Sequence, residues 1–473
     1  MKFDEDRLKK LEEIKKLGLD PFGHKFEALD NSYILNHFEE LKDKEIRAKG
    51  RIMSIRDHGE IIFIDIKDDT GTLQLYIHKN KLDEISLKLL NLIERGDIIG
   101  AIGKVELTKR GTKSLSPTHI EILSKCLLPF PSTWFGIQDI ETRYRKRYLD
   151  FIFNDEAKEK IKIASKIVKI IREILDEEGY IEVVTPILQE VYGGANALPF
   201  KTHYNALDQD YFLRISPELY LKRLLVGGFE KIYEFAKNFR NEGIDTKHNP
   251  EFTGFELYKA YGDLEDMKEI TKKIFQTVSK KLYNSYKINY IDQQIDLSNF
   301  KEETMENLVK KYTGKDNEEE IIKEGEKITN KKLSYGEALN AIFEEKIEKT
   351  LIQPTFVTKY PVEISPLTKV YPDDKRFVQR FELYIAGMEF ANAYTELNDP
   401  LEQIERFKEE EKKRNKGELE SMPNDEDFIE ALGYGMPPTG GLGIGMERLF
   451  MLFTNSKSIR DVIAFPQLRS KNE

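Results

Sequence analysis

Short alternating runs of hydrophobic and polar residues characterise the chain between residues 44 and 124. Strands are predicted, in order, near residues 46–55, 61–66, 73–77, 97–107 and 115–123. A helical stretch at about 80–94 separates the third strand from the fourth. Three strands, a helix and two strands is the order of a five-stranded OB barrel, a fold that binds oligonucleotides.

Helical periodicity marks other parts of the chain. An amphipathic helix is predicted at 5–17, where Gly18 and Pro21 end it. A longer one runs from about 155 to 178 and leads into a strand near 180–184. Its apolar side comprises Ile161, Ile163, Ala164, Ile167, Val168, Ile171 and Leu175.

The patterns divide the chain into parts. We expect an N-terminal helical segment at 1–43, the barrel at 44–126, a hinge at 127–147, and a second domain at 148–473 with a helical surface insertion at about 263–350. The hinge contains two prolines and the single tryptophan, Trp134. Because strands return after residue 351, we expect an α+β protein.

Composition narrows the function classes. The 473 residues are too many for one ordinary core, and 40% hydrophobic residues suffice to fill two or three. A net charge of −10 excludes a protein that wraps nucleic acid with its whole surface. The single cysteine, Cys126, excludes disulfides and cysteine-based zinc sites. With no signal peptide and no long apolar run, we expect a cytoplasmic enzyme with no membrane partner.

A polar segment from Arg240 to Thr253 is the first candidate for chemistry. The chain contains neither the G-x-x-x-x-G-K-[ST] nor an early G-x-G-x-x-G phosphate-binding motif. We interpret the segment as a loop between two strands, where Arg240 could make a bidentate contact to phosphate or carboxylate. Phe252 could stack on a purine. Taken alone, Arg240 would more often be a surface ion-pair residue.

Glycines alternate near the C-terminus, at 441, 443 and 445, just before Arg448. Three glycines in one strand leave no side chains to pack, which makes sense where a ligand or another backbone comes close. We expect Arg448 to project from the first turn of the following helix. The alternative is a glycine-rich bulge with a capping ion pair.

Acidic and amide residues interrupt an apolar stretch at Glu382, Glu389, Asn392 and Glu396. Glu382 and Glu389 could hold Mg²⁺ that also binds substrate phosphates. A buried Glu396 would need a cation beside it. Spacing alone leaves open that these are ordinary polar strand faces.

Two barrel residues, Phe63 and Gln74, fall in the second and third predicted strands. A ring there could stack on a base and an amide could read a base edge. That Phe63 belongs to the core is an equal alternative.

Together these segments resemble the signature motifs of class II aminoacyl-tRNA synthetases of subclass b, and more narrowly the class II lysyl-tRNA synthetases of bacterial type. The likeness extends over nearly the whole chain. The matching segments lie at 155–186, 193–195, 217–222, 239–253, 392–399, 440–448 and 452–465. The family has an OB-fold anticodon domain and a catalytic domain built on an antiparallel sheet flanked by helices.

The resemblance implies a role for each matching residue. Arg240 and Arg448 would be catalytic, and Glu382 and Glu389 would bind Mg²⁺. ATP would contact Arg240, Glu242, His248, Phe252, Glu382, Glu389 and Arg448. Lysine would contact Gly194, Glu218, Arg240, Glu256, Tyr258, Asn392, Tyr394 and Glu396, with its ε-ammonium at Tyr258 and Glu396. Phe63 and Gln74 would read an anticodon uridine.

The implied partners are ATP, L-lysine and tRNA(Lys), and the implied assembly is a homodimer through the 155–178 helix and the strand after it. Barrel contacts to tRNA are expected at Lys104, Lys109, Arg110 and Lys113. One departure is Met388, where many relatives have a basic residue.

Other readings stay open. Aspartyl- and asparaginyl-tRNA synthetases share the motifs, but an aspartate site needs a cation where Tyr258 and Glu396 stand. An enzyme that lysylates a protein would lack the barrel, and a non-catalytic nucleic-acid-binding protein would have lost Arg240, Arg448 or the acidic pair.

Overall fold

Two compact units make up the part of the chain that the computed structural model describes, residues 2–131 and 139–470. The predicted hinge at 127–147 includes residues 132–138, so Trp134 lies outside the described residues. The boundaries expected at 43, 126 and 147 stay predictions. Within the described residues, no helix has both the length and the apolar character needed to cross a membrane.

The first unit is a closed five-stranded barrel with helices packed on it. Its helices are α1 (Glu5–Lys16), α2 (Asn31–Asn36) and α3 (Glu84–Leu90), and its strands are β1 (Glu45–His58), β2 (Ile61–Lys67), β3 (Thr72–His78), β4 (Ile98–Leu107) and β5 (Lys113–Ser124). The strand order β1-β2-β3-β5-β4, with α3 between β3 and β4 in the chain, confirms the predicted OB fold.

Alternation in the barrel strands separates core from surface. In β2, Ile62, Ile64 and Ile66 are buried and their neighbours are not. Phe63 therefore lies on the outer face, which excludes the alternative that it fills the barrel core.

The second unit contains most of the elements. Its helices are α4 (Ile140–Arg145), α5 (Arg147–Phe153), α6 (Asp155–Glu177), α7 (Glu218–Val226), α8 (Leu264–Tyr283), α9 (Met305–Thr313), α10 (Glu318–Thr329), α11 (Tyr335–Ile342), α12 (Pro400–Asn415), α13 (Glu426–Gly433), α14 (Met446–Phe453) and α15 (Ile459–Val462). Its strands are β6 (Ile181–Glu182), β7 (Leu188–Gln189), β8 (Phe200–Tyr204), β9 (Gln209–Leu213), β10 (Lys231–Phe239), β11 (Glu251–Ala260), β12 (Lys287–Tyr290), β13 (Gln293–Asp296), β14 (Lys301–Thr304), β15 (Thr355–Pro361), β16 (Phe377–Ile385), β17 (Met388–Thr395) and β18 (Thr439–Gly445).

An eight-stranded sheet organises this unit, in the order β14-β15-β16-β17-β18-β11-β10-β6. The six inner strands pair antiparallel, as expected. The two edge strands, β6 and β14, pair parallel, so the sheet is mixed. Both parallel pairs are joined by long crossovers that contain helices, as parallel neighbours require.

One face of the sheet is covered by α6, α8 and α14 and forms the main hydrophobic core. Alternate residues of the inner strands point into it, among them Phe255, Leu257, Ala391, Ala393, Leu442 and Ile444. Their neighbours in sequence must therefore project from the opposite face.

The expectation of a helical surface insertion at 263–350 is partly wrong. The segment also contains the three short strands β12, β13 and β14. Its first helix, α8, buries Met267, Ile274 and Phe275 in the main core. Most lysines and glutamates of α8, with the exception of the buried Lys268, lie on its outer side, and they obscured the apolar stripe.

Candidate active site

Two rows of side chains cross the open face of the sheet, each set by strand register. In the first, Glu382 pairs with Asn392, Asn392 with Gly443, and Gly443 with Glu256. In the second, neighbouring strands align Arg380, Tyr394, Gly441 and Tyr258. The glycines of β18 thus lie in the middle of each row, where a missing side chain leaves room above the sheet.

A cavity of about 420 Å³ lies above these rows. It is lined by nearly every residue expected to bind ATP or lysine: Gly194, Glu218, Arg240, Glu242, His248, Phe252, Glu256, Tyr258, Glu382, Glu389, Asn392, Tyr394 and Arg448. Glu396 is the exception and does not line the cavity. Residues from five strands and from loops far apart in sequence therefore converge on one place.

The closed end of the cavity is lined by Glu218, Glu256, Tyr258 and Tyr394, and Lys222 and Glu396 are buried behind them; we call these six residues the closed end. The Lys222 side chain and the Glu396 side chain are both 0% exposed, and they form an ion pair. Lys222 Nζ also lies 2.6 Å from Glu218 Oε1, one helical turn earlier on α7. One ammonium thus serves two buried carboxylates.

Glu256 has partners on both oxygens at the closed end. Ser216 Oγ donates to Oε1 over 3.0 Å, and Tyr258 Oη donates to Oε2 over 3.0 Å. Burial, and next the nearby Glu218 carboxylate, raise the pKa of Glu256 to about 7. Tyr394 Oη donates to Glu218 Oε2 over 2.7 Å. The phenols therefore orient the two carboxylates.

Glu396 is the least satisfied group of this end. Its Oε1 has no hydrogen-bond partner among the described residues. Burial raises the pKa of Glu396, and the Lys222 ammonium only partly offsets that rise. A Cβ on Gly441 would lie 2.0 Å from this oxygen, so only glycine leaves it room. An orphaned buried carboxylate oxygen beside a cavity wall fits a site for a cation.

Position 194 also requires a glycine, because of its backbone conformation and its close neighbours. Its φ of +84° is in the left-handed region, and an added Cβ would lie 2.8 Å from both Glu218 Cβ and Ser216 Oγ. The backbone can therefore approach the Glu218 carboxylate closely.

The open end of the cavity comprises Arg240, Glu242, His248, Phe252, Glu389 and Arg448. Arg240 follows directly after β10, and its guanidinium carbon lies 5.0 Å from the centre of the Phe252 ring. Its Nε is buried without a hydrogen-bond partner among the described residues. Burial lowers the pKa of Arg240, and the nearby carboxylates of Glu242 and Glu389 counteract this. The guanidinium is thus free to meet an anion.

Arg448 stands at the start of α14, as predicted. Its Nη1 donates to the Glu389 carbonyl over 2.8 Å and lies 3.3 Å from Glu389 Oε2, while Nη2 lies 3.3 Å from His248 Nε2. The side chains of Arg448, Glu389 and His248 are 23%, 39% and 50% exposed. This end is therefore more accessible and less tightly bonded than the closed end.

Glu382 and Glu389, the expected magnesium ligands, both line the cavity. Glu382 accepts from Arg380, Tyr360 and Tyr384, yet two carboxylate oxygens offer about four lone pairs, which leaves capacity for a metal. Burial, and then the Glu382 charge, raise the pKa of Glu389. The negative charge of Glu389 is therefore poorly compensated beside Glu382. Such a pair of carboxylates suits Mg²⁺, which takes one or two carboxylates and completes its shell with phosphates and water. No cluster of three or more potential metal ligands occurs in the described residues.

Several contributors were not found from the sequence. Lys222 and Arg380 hold the carboxylates at either end, and Ser216 holds Glu256. Their signals were present, since Lys222 follows Glu218 by one helical turn and Arg380 shares a strand face with Glu382. Met388 packs in the main core, whereas Glu389 lines the cavity.

The outer face of the barrel carries a second candidate site. Phe63 stacks on Tyr76 with ring centres 5.2 Å apart and an angle of 7° between the rings. Gln74 Oε1 accepts from Ser114 Oγ over 3.1 Å, and Asp65 lies between Gln74 and Arg56. Of the basic residues expected to meet tRNA, Lys104, Lys109 and Arg110 are exposed, while Lys113 donates to the Leu35 carbonyl. Aromatic rings beside fixed polar groups are typical of single-strand binding.

Fold and site together define a class II synthetase, and the family comparison agrees. The family of class II tRNA synthetases for D, K and N matches residues 139–469, and the OB-fold nucleic acid binding domain matches residues 46–123. The chain belongs to this class II synthetase family.

Within this family, the chain is similar to individual lysine–tRNA ligases. The chain is 48% identical to a lysine–tRNA ligase of Carboxydothermus hydrogenoformans over 476 residues, 98% of each chain. It is 46% identical to lysine–tRNA ligase 2 of Methanosarcina acetivorans, covering 99% of this chain and 95% of the relative. It is 45% identical to the lysine–tRNA ligase of Bacillus subtilis, covering 98% and 97%.

Proposed function

We propose that this protein is a lysine–tRNA ligase, which activates L-lysine with ATP and transfers it to the 3′ end of tRNA(Lys) for protein synthesis. The observation that carries the proposal is the closed end of the cavity. Three carboxylates gather there, and a single ammonium contacts two of them, an arrangement suited to a substrate that brings further ammonium groups.

The first step needs positioning and charge compensation rather than a strong base. The lysine carboxylate attacks the α-phosphorus of ATP, and pyrophosphate leaves from the opposite side. Arg240, with its unpaired Nε, would hold both the attacking carboxylate and the α-phosphate. Phe252 and Arg448 would hold the adenine between them, and Arg448 would also meet the γ-phosphate. Glu242 and His248 would contact the amino group of adenine and the terminal phosphates.

Magnesium fits the donor set of Glu382 and Glu389, which would hold it. When bound, it would neutralise charge on the phosphates and on the leaving pyrophosphate. Arg380, bonded to Glu382 and to Asn392, keeps that part of the site in place.

Lysine recognition follows from the closed end. Glu218 and the close approach at Gly194 would take the α-ammonium, with Asn392 near the carboxylate. Tyr258, Glu256 and Glu396 would surround the ε-ammonium, and Tyr394 would orient Glu218.

Transfer requires the matching tRNA. Phe63 would stack on an anticodon uridine and Gln74 would read its edge, on the barrel face where both residues lie. This reaction belongs to the cytoplasm, which suits the single free cysteine.

A homodimer completes the proposal, supported by an exposed apolar row along β6 and the segment after it. Ile181, Val184, Ile187 and Leu188 are 53%, 89%, 41% and 48% exposed, and β6 pairs on one side only. Such a patch on an edge strand marks an interface. Sedimentation at micromolar concentration should give twice 55.2 kDa, and a single 55.2 kDa species would contradict the dimer.

An aspartyl or asparaginyl specificity is the second candidate, because the family includes both. The closed end disfavours it. The cation present there, Lys222, already lies between Glu218 and Glu396, so no positive charge is left for a substrate carboxylate.

The test is charging of unfractionated tRNA with each of the twenty labelled amino acids in turn. The proposal expects lysine to be attached and no other. Attachment of aspartate or asparagine would overturn the assigned pocket, and lysine attached only to protein would overturn the tRNA acceptor.

A further inference from the structure

The buried lysine of the closed end has no role in the activity described above, yet its position is unusual. Lys222 lies on the apolar side of α7 among Leu219, Leu221 and Leu225, which pack in a hydrophobic cluster. Its ammonium lies 5.5 Å from the centre of the Tyr394 ring. A lysine is fully buried only where its charge is compensated.

The charges at this end do not balance without a ligand. Glu218, Glu256 and Glu396 supply three carboxylates, and Lys222 contacts two of them. Two further cations lie near this end: Arg240, whose charge reaches Glu256 but which belongs to the open end, and Arg380, which is paired with Glu382. Tyr258 and Tyr394 also face the cluster as hydrogen-bond donors. Two negative charges therefore remain uncompensated unless carboxylates bind protons.

A lysine substrate closes this balance. Its two ammonium groups match the two uncompensated carboxylates, and its own carboxylate matches Arg240. An amino acid with one ammonium group would leave a buried carboxylate without a partner, which is costly.

We propose that Lys222 is the positioning residue of the amino-acid pocket: it holds Glu218 and Glu396 together as a built-in counter-ion, so that only a substrate with two ammonium groups completes the site. This rests on the proposed lysine specificity. The residue acts through the two glutamates rather than by touching the reacting atoms.

The number of protons released when lysine binds is a measurable consequence of this inference. Although burial lowers the pKa of Lys222, the Glu218 and Glu396 carboxylates raise it further, so the ammonium stays charged. Without that ammonium, Glu218 and Glu396 would face each other buried and would retain a proton. Lysine would then have to displace this proton as it binds.

The experiment compares the parent protein with Lys222→Met. Lysine binding is measured by titration calorimetry in buffers of different ionisation enthalpy, which counts the protons released. We expect the variant to release about one more proton than the parent at pH 7, and to bind lysine at least about tenfold more weakly. That loss should shrink by up to about tenfold for each unit that the pH is raised. The KM for ATP should change less than about twofold, since the open end is untouched.

A matched control is Lys268→Met. Lys268 is also a buried lysine between two carboxylates, 2.8 Å from Glu265 and 2.8 Å from Glu302, but neither of these carboxylates lines the cavity, whereas Glu218 beside Lys222 does. We expect this variant to lose thermal stability with no change in proton release. If Lys222→Met behaves like Lys268→Met, the inference is overturned and the proposed function stands. If the parent binds no lysine, both are overturned.

A second measurement needs no variant and covers the case in which Lys222→Met does not fold. Norleucine lacks the ε-ammonium of lysine. The parent should bind it at least about 100-fold more weakly. It should also release about one proton fewer than lysine does. Equal binding and equal proton release for the two ligands would overturn the charge balance.

Discussion

The two ends of the cavity differ in how firmly their charged groups are held. At the closed end, Lys222 and Glu396 are wholly buried, and tyrosine hydroxyls fix Glu218 and Glu256. At the open end, Arg448 and His248 are partly exposed, and the contact between them is 3.3 Å long.

This contrast corresponds to two tasks. A pocket that selects by charge must be dry and rigid, because water would pair with any carboxylate left empty. A region that holds a triphosphate must admit and release it, so its arginines need contacts that ATP can replace. We therefore expect variants to separate lysine recognition from ATP binding.

The largest separation is expected from Glu396→Gln. Removing this buried charge takes away the expected partner of the ε-ammonium, which should lower kcat/KM for lysine by about 10³-fold. The KM for ATP should stay within about threefold of the parent value. Steady-state ATP–pyrophosphate exchange, with each substrate varied in turn, measures both.

Glu410→Gln is the control for that variant. Glu410 is also buried and ion-paired, 2.8 Å from Lys413, but neither residue lines the cavity, whereas Glu396 lies against Gly441 in the cavity wall. The Glu410 variant should lose stability without changing kcat/KM for lysine relative to the KM for ATP. Equal lysine kinetics in Glu396→Gln and the parent would show that Glu396 does not bind the ε-ammonium of lysine.

The reverse separation is expected from Arg448→Ala. Loss of a charge-assisted contact to phosphate should raise the KM for ATP by about 30-fold and leave lysine binding in the absence of ATP unchanged. Arg406→Ala removes a guanidinium whose hydrogen bonds, among the described residues, go to Glu402 and the Val362 carbonyl; it should change neither the KM for ATP nor lysine binding. Weakened lysine binding in Arg448→Ala would mean that the two ends are not independent.

A pH titration sharpens the contrast. With a pKa raised to about 7, Glu256 holds a proton below that pH, whereas its ordinary value is 4.5. A protonated carboxyl cannot pair with an ammonium, so lysine affinity should fall by up to about tenfold for each unit below about pH 7. Calorimetry without ATP measures this, and Glu256→Gln should abolish the slope. A slope that persists in the variant would assign the titration to another group.

The smallest expected effect lies outside both ends, on the barrel. Phe63→Ala should weaken tRNA binding by about tenfold, since stacking contributes roughly 1–3 kcal/mol per base, and should leave tRNA-independent exchange unchanged. Phe26→Ala, which removes a ring packed under Arg47, is the control. Full tRNA affinity in Phe63→Ala would place the anticodon elsewhere.

Sequence patterns predicted the barrel because it depends on local alternation, and they singled out part of the cavity, such as Arg240, Glu389 and Arg448. The remaining cavity residues were expected only from the family resemblance. Phe255 and Glu256 fall on opposite faces by strand geometry alone, and the glycines of β18 indicated that a ligand or another backbone comes close to that strand. The pairing of Lys222 with Glu396 could not be predicted, since it joins α7 to the end of β17 across 174 residues of sequence. The burial of α8 was missed because lysines and glutamates dominate its composition.

Amino-acid-dependent ATP–pyrophosphate exchange, run without tRNA and with each of the twenty amino acids separately, tests the central claim most directly. If two substrate ammonium groups complete the closed end, only lysine should support exchange. Exchange with aspartate, with asparagine, or with an amino acid that carries a single ammonium group would contradict it.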